Sequence, residues 1–240
     1  MMLSPLSSYQ RLSAPIGGFI LALALLVGPM PGVGGGGTLP RDELVARVQA
    51  RYDQTAHFHA RFHQETRVQG FDQPQTGEGQ VWILKPGMMR WEYRKPEPQT
   101  IIAQGETLWM YFPAERQVMR DRLSDSLQSR APALFLAGRG KLTELFTVTG
   151  PGPEPASKEG LLTLQLTPRA EPAHLSEVRL GIDPGSYLIV KVTLIDALGN
   201  VTTISFSDID TEVAIDPSLF QFQVPPGVEV VSPPLSPGAK

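Results

Sequence analysis

The chain contains no cysteine among its 240 residues. That absence excludes disulfide staples, thiol chemistry and a lipid-modified N-terminal cysteine. Positive charge is not in excess either: 21 Lys and Arg stand against 24 Asp and Glu, for a net charge of −3. With an isoelectric point of about 5.8 and no basic stripe, nucleic acid is not a partner. A long apolar run is also missing. The longest, Ile16–Val27, has twelve residues, whereas a bilayer-spanning helix needs about 20.

What that short run does fit is the hydrophobic region of a secretory signal peptide, with Arg11 as its positive flank. The expected leader is residues 1–37, cleaved near 35–37, with Val33-Gly34-Gly35 as the small-residue candidate. The competing reading is an uncleaved amphiphilic anchor. Loss of Arg11 takes the formal charge from −3 to −4, and the mature chain is expected to be soluble. Residues 38–231 show no repeat or composition shift and read as a single domain. The tail 232–240, with its three prolines, reads as disordered.

Apolar periodicity changes along the domain. Leu44, Val48 and Tyr52 recur at helical spacing with Val45 beside them, while Arg41, Glu43, Arg47 and Arg51 fall on the other side. From Phe58 the period drops to two, with Phe58, Ala60, Phe62, Thr66 and Val68 on one strand face. Residues 79–112 then alternate in short runs separated by Lys85-Pro86-Gly87, Lys95-Pro96-Glu97-Pro98 and Gln104-Gly105-Glu106, the pattern of an antiparallel meander. These strands are unusually aromatic: Trp82, Trp91, Tyr93, Trp109, Tyr111 and Phe112 include all three tryptophans. Met88, Met89, Met110 and Met119 lie in or beside them, and methionine adapts to irregular apolar partners. Residues 121–146 read as two short helices punctuated by Pro132 and Gly138–Gly140, neither long enough to be stable alone. Strands resume at Leu162–Leu166, Val178–Ile182, Leu188–Ile195, Val201–Ile209 and Phe220–Val224. The total is about eleven.

No enzyme constellation emerges. His57, His59 and His63 share a strand face, but metal binding needs a fourth ligand or an orienting carboxylate, and His174 is distant in sequence. Alternation puts the three opposite Phe58, Ala60 and Phe62, on the solvent side. Gly138-Arg139-Gly140-Lys141 lacks the spacing of a phosphate loop. Ser124-Asp125-Ser126 has no histidine beside it to activate a nucleophile. Asn200-Val201-Thr202, a glycosylation pattern, falls in a hairpin. No metal or cofactor is expected.

Several segments together carry a resemblance: Phe58-His59-Ala60-Arg61-Phe62-His63-Gln64, Gly77-Glu78-Gly79-Gln80-Val81-Trp82, Lys85-Pro86-Gly87, Arg90-Trp91-Glu92, Gln104-Gly105-Glu106-Thr107-Leu108-Trp109-Met110-Tyr111 and Phe220-Gln221-Phe222-Gln223-Val224-Pro225-Pro226-Gly227-Val228. In order and spacing they are similar to the outer-membrane lipoprotein carrier family, the LolA-type periplasmic chaperones, over residues 40–231. The resemblance implies a mainly β fold with some α: an incomplete, half-open antiparallel barrel of about eleven strands covered by an N-terminal helix and short lid helices. It also implies a monomeric, non-enzymatic carrier in the periplasm of a Gram-negative bacterium. Such a carrier takes acylated lipoproteins from an inner-membrane ABC release complex and passes them to an outer-membrane receptor. That receptor begins with the lipid-modified cysteine this chain lacks.

For the site, the expected ligand wall comprises Trp82, Leu84, Met89, Trp91, Tyr93, Ile101, Trp109 and Tyr111, with Leu134, Phe135 and Leu136 on the lid. Strand parity lets only half of the meander residues face inward and leaves the face at Trp82 open. Met88 and Met89, after the tight turn, are expected at a rim that docks the release complex. Lys85 stands where the family places an arginine that holds lid carbonyls, so it is the expected lid latch, with fewer donors than a guanidinium. Two alternatives share the fold: a lipid-binding periplasmic sensor, and a carrier of another amphiphile such as a glycolipid or isoprenoid lipid.

Overall fold

In the structure, a computed structural model, residues 39–122, 141–149, 159–169 and 175–231 are described. The expected leader (1–37) and tail (232–240) lie outside them. Helix α1 (Arg41–Gln54) forms where the apolar stripe predicts it and buries Leu44, Val45 and Val48. Asp42 and Glu43 in its first turn and Arg51 in its last suit the helix dipole. At its end the Thr55 hydroxyl donates to the Arg51 carbonyl at 2.8 Å.

An antiparallel meander follows: β1 (His57–Arg67), β2 (Gln75–Leu84), β3 (Met88–Lys95), β4 (Gln99–Gln104), β5 (Thr107–Phe112) and β6 (Gln117–Arg122). Past the one-turn helix α2 (Leu142–Leu145) come β7 (Phe146–Val148), β8 (Leu162–Pro168), β9 (Leu175–Ile182), β10 (Ile189–Asp196) and β11 (Val201–Asp210). Strand β11 returns to pair with β1, from His59 opposite Asp210 to Arg67 opposite Val201. The last strand, β12 (Glu229–Val231), adds parallel to β6. The result is one twelve-stranded sheet in the order β12-β6-β5-β4-β3-β2-β1-β11-β10-β9-β8-β7. Its two edges do not meet. This is the open, mainly β architecture expected, with twelve strands among the described residues against about eleven counted from the sequence.

Two local expectations need correcting. Phe220–Val224 is not a strand: Phe220 closes a 3-10 turn, Pro217–Phe220, started by Pro217 and by the Asp216 carboxylate accepting from the Ser218 amide at 2.8 Å. The true last strand lies beyond Pro225 and Pro226, which have no amide to donate. Phe146 also leaves the helical stretch to open β7, where it is 2% exposed. Of the two helices expected in 121–146, only α2 falls within the described residues.

Both faces of the sheet carry apolar cover. On one, α1 shares a single core with Ala60 and Phe62 of β1, Val81 and Ile83 of β2, and the inward residues of β3–β5 and β7–β11. On the other, a smaller cluster of Leu84, Ile102 and Phe220 gathers Trp82, Met88, Trp109, Ile215, Leu219 and Phe222. The C-terminal segment thus crosses the outer face of β3–β5, and the Arg90 guanidinium donates to the Leu219 carbonyl at 3.0 Å. At Gly79 the sheet admits no side chain, since a Cβ there would lie 1.9 Å from the Glu92 carbonyl oxygen and 2.8 Å from the Phe62 ring.

Candidate functional site

Four of the eight wall residues share the helix-bearing face. Met89 and Trp91 are buried in its core, and Tyr93 and Ile101 pack partly buried against it. The rings form a connected floor: Phe62 meets Trp91 and Tyr93 edge-on, each at 4.8 Å between centroids, and Trp91 lies 6.1 Å from Phe206, which meets Phe58 at 5.7 Å. Edge-to-face contacts of this kind favour an aromatic cluster beyond its buried area. Phe58, Phe62 and Phe206 were not among the expected wall. Their strand alternation is the signal that finds them once the β1–β11 register is known.

The other four lie on the opposite face. Trp82, Leu84 and Trp109 belong to the outer cluster, and Tyr111 stacks obliquely on Phe222 at 5.8 Å. A single wall of eight is therefore ruled out by the pleat, which sends alternate side chains to opposite faces. Phe222 also meets Trp109 at 5.5 Å, and the Arg120 guanidinium sits 5.3 Å over the Trp109 ring. The histidine face is outer too: His59 stacks on Trp82 at 5.1 Å, and His63 Nδ1 lies 3.8 Å from Glu78. Met88 and Met89 are likewise split. Met88 packs in the outer cluster, whereas Met89 is 5% exposed in the inner core and cannot meet a partner unless that core opens. The expected lid residues Leu134, Phe135 and Leu136 lie outside the described residues.

The expected lid carbonyls lie outside the described residues, and Lys85 holds the end of α1. Its ammonium donates to the Tyr52 carbonyl in the last turn of α1 and lies 3.1 Å from the centre of the Tyr52 ring. Carbonyls at a helix C-terminus lack intrahelical partners, so a cation there closes the helix and fastens it to the β2–β3 turn. A cavity of about 40 Å³ opens beside it, lined by Val48, Tyr52, Phe58, Ile83 and the 187–189 loop. Burial pushes the Lys85 ammonium down to about 8, against a smaller upward pull from Asp53. The folded chain thus sheds this proton before the unfolded chain does. Between about pH 8 and pH 10.5 the unfolded state binds more protons, so stability attributable to Lys85 rises with pH. Because the group is partly exposed, the gain over Lys85→Met should be modest, about 1 kcal/mol. Paired thermal melts at pH 7.5 and 9.5 check it; a difference between wild type and variant that does not grow with pH contradicts it.

Residues 53–223, which hold the whole aromatic floor, match the family described as outer membrane lipoprotein carrier protein LolA. The chain belongs to that family. An outer-membrane lipoprotein carrier protein of Alkalilimnicola ehrlichii is 34% identical over 214 residues, covering 88% of this chain and 92% of that relative. One from Methylobacillus flagellatus is 35% identical over 192 residues, covering 80% and 90%. Among solved structures, an uncharacterized conserved protein from Thermus thermophilus aligns with a TM-score of 0.51 at 14% identity, covering 80% of this chain and 98% of that one. At that identity the likeness speaks to the fold alone. The β1–β11 junction, like the floor it completes, falls inside the residues matched to the LolA family.

Proposed function

We propose that this chain is a periplasmic lipoprotein carrier, exported by residues 1–37, that shelters acyl chains on the aromatic floor beneath α1. The observation that carries the reading is the coincidence of the family match with a ring-lined apolar face closed by a lightly held helix. Each acyl CH₂ kept from water is worth about 0.8 kcal/mol, so long chains need a large apolar shelter to cross an aqueous space. Helix α1 buries Leu44, Val45 and Val48, packs Tyr52 partly buried against the core, and is otherwise tied by side-chain hydrogen bonds: Arg41 to the Val148 carbonyl at 3.4 Å, Gln49 to the Leu142 amide at 2.9 Å, Arg51 to the Thr211 hydroxyl at 3.3 Å, Arg47 to Tyr187, and Lys85 to Tyr52. A cover held this way can lift to admit a chain without unfolding the sheet. The family is one of carriers, not enzymes.

In this reading the cargo arrives from an inner-membrane ABC release complex and leaves to an outer-membrane receptor. The Lys85–Gly87 turn with Met88 is the docking edge, and Lys85 is the latch that favours the closed, empty state. Native mass spectrometry of protein purified from periplasm should show a bound species with the mass of an acylated polypeptide. A glycolipid or isoprenoid mass instead would replace lipoprotein with another amphiphile, and a stable complex with a membrane signalling protein would favour the sensor.

A further inference from the structure

Along the helix-bearing face, chemistry changes from one end to the other. At the Lys85 end it is apolar. At the far ends of the same strands, past Tyr93, the wall becomes polar, and a cavity of about 340 Å³ opens between β1–β3, the 96–98 turn and the loop after β5. The amides of Gln64, Gln75 and Gln99 line it and can both accept and donate, while the carboxylates of Glu97 and Glu115 only accept. The rings of Tyr93 and Phe112 line it while also packing on the apolar core, so the cavity borders the floor. The Tyr93 hydroxyl donates to the Gln64 side chain at 2.9 Å, which orients that amide at the boundary.

Among the described residues, no Lys or Arg lines it. Three of the cations adjacent to lining residues in sequence are engaged elsewhere: Lys95 with Glu78 at 3.1 Å, Arg67 with Glu65 at 2.7 Å, and Arg116 donating to the Gly227 carbonyl at 3.2 Å. Among the described residues, neither Glu97 nor Glu115 forms an ion pair, and both are exposed. A cavity with two carboxylates and no cation among its described lining repels a phosphate and welcomes hydrogen-bond donors.

We infer that this cavity is a head-group site: it takes the donor-rich, non-anionic head of an amphiphile whose chain lies on the aromatic floor, specifically the first peptide amides of an acylated polypeptide. The site would discriminate such cargo from the anionic phospholipids that offer the same chains. The inference rests on the carrier reading and specifies what that site selects.

The test uses two amphiphiles with the same dodecyl chain, one ending in an uncharged dipeptide amide and one in phosphate. Both displace an environment-sensitive hydrophobic dye, below their micelle concentrations and at low ionic strength, where surface charges are least screened. Wild type should bind the dipeptide amphiphile about tenfold more tightly than the phosphate. Glu97→Lys with Glu115→Lys should erase or reverse that ranking while leaving the melting profile near wild type, since both positions are exposed. Equal binding of the two heads by wild type, or a ranking untouched by the double charge reversal, overturns the head-group site while leaving the carrier reading standing. If neither amphiphile displaces the dye, the head-group site and the carrier reading both fall.

Discussion

Phe220→Ala should destabilise the protein by about 4 kcal/mol, the range for emptying a fully buried aromatic site. Phe220 is 0% exposed although it sits in a connecting turn, because it plugs the outer cluster with Leu84 and Ile102. Its neighbours Leu219 and Phe222 reach Arg90, Trp109 and Tyr111. Losing the plug therefore loosens the whole crossing segment. It also removes the restraint that delivers β12 to the β6 edge, where Glu229, Val230 and Val231 pair with Gln117, Val118 and Met119. Denaturant unfolding should show the loss in midpoint. Limited proteolysis should cut near residues 221–228 long before the sheet core yields. A midpoint within about 1 kcal/mol of wild type would mean that the outer cluster does not hold the segment.

The second large effect separates the two faces. Trp91→Ala should weaken binding of an acyl amphiphile by more than about tenfold, since the ring is the centre of the floor and its removal deletes contacts to Phe62 and Phe206. Trp109→Ala removes a ring of the same size from the same meander but from the outer face, and should leave that binding within about twofold of wild type. Dye displacement by a dodecyl amphiphile reads both, and a parallel melt separates lost binding from lost folding. Equal losses from the two substitutions would place the ligand elsewhere than on the helix-bearing face.

The contrast between these tryptophans marks where the sequence stopped being legible. Helix α1, the meander and the turns at Lys85–Gly87 and Gln104–Glu106 were readable because each has one clear period and strong turn chemistry. The direction of each strand face was not. In β2 the buried residues include both Ile83 and Leu84, because the C-terminal segment covers the side that would otherwise be wet. Apolar residues on both faces give parity nothing to act on. The same segment misled in a second way. Phe220 and Phe222 alternate with Gln221 and Gln223 like a strand, yet Phe220 fills the outer cluster and Phe222 packs on Trp109 and Tyr111, without a hydrogen-bonded partner strand. For Lys85, the residue stood out in the sequence, whereas its contact with Tyr52 did not. The Tyr52 carbonyl it holds lies 33 residues away, at a helix end whose place depends on the packing of the whole sheet.

The junction of β1 with β11 has a kinetic consequence. Phe62 meets Phe206, 144 positions further along the chain, at the middle of the sheet. Hairpins such as β2–β3 and β4–β5 can close early, because their loops are short. The floor itself cannot exist until β11 has been synthesised and has searched out β1, a closure of high contact order that belongs to the slow end of folding rates. A nascent chain of this topology thus stays unjoined along its midline until its last quarter emerges. For the exported carrier proposed above, the strand order supplies such a delay before folding.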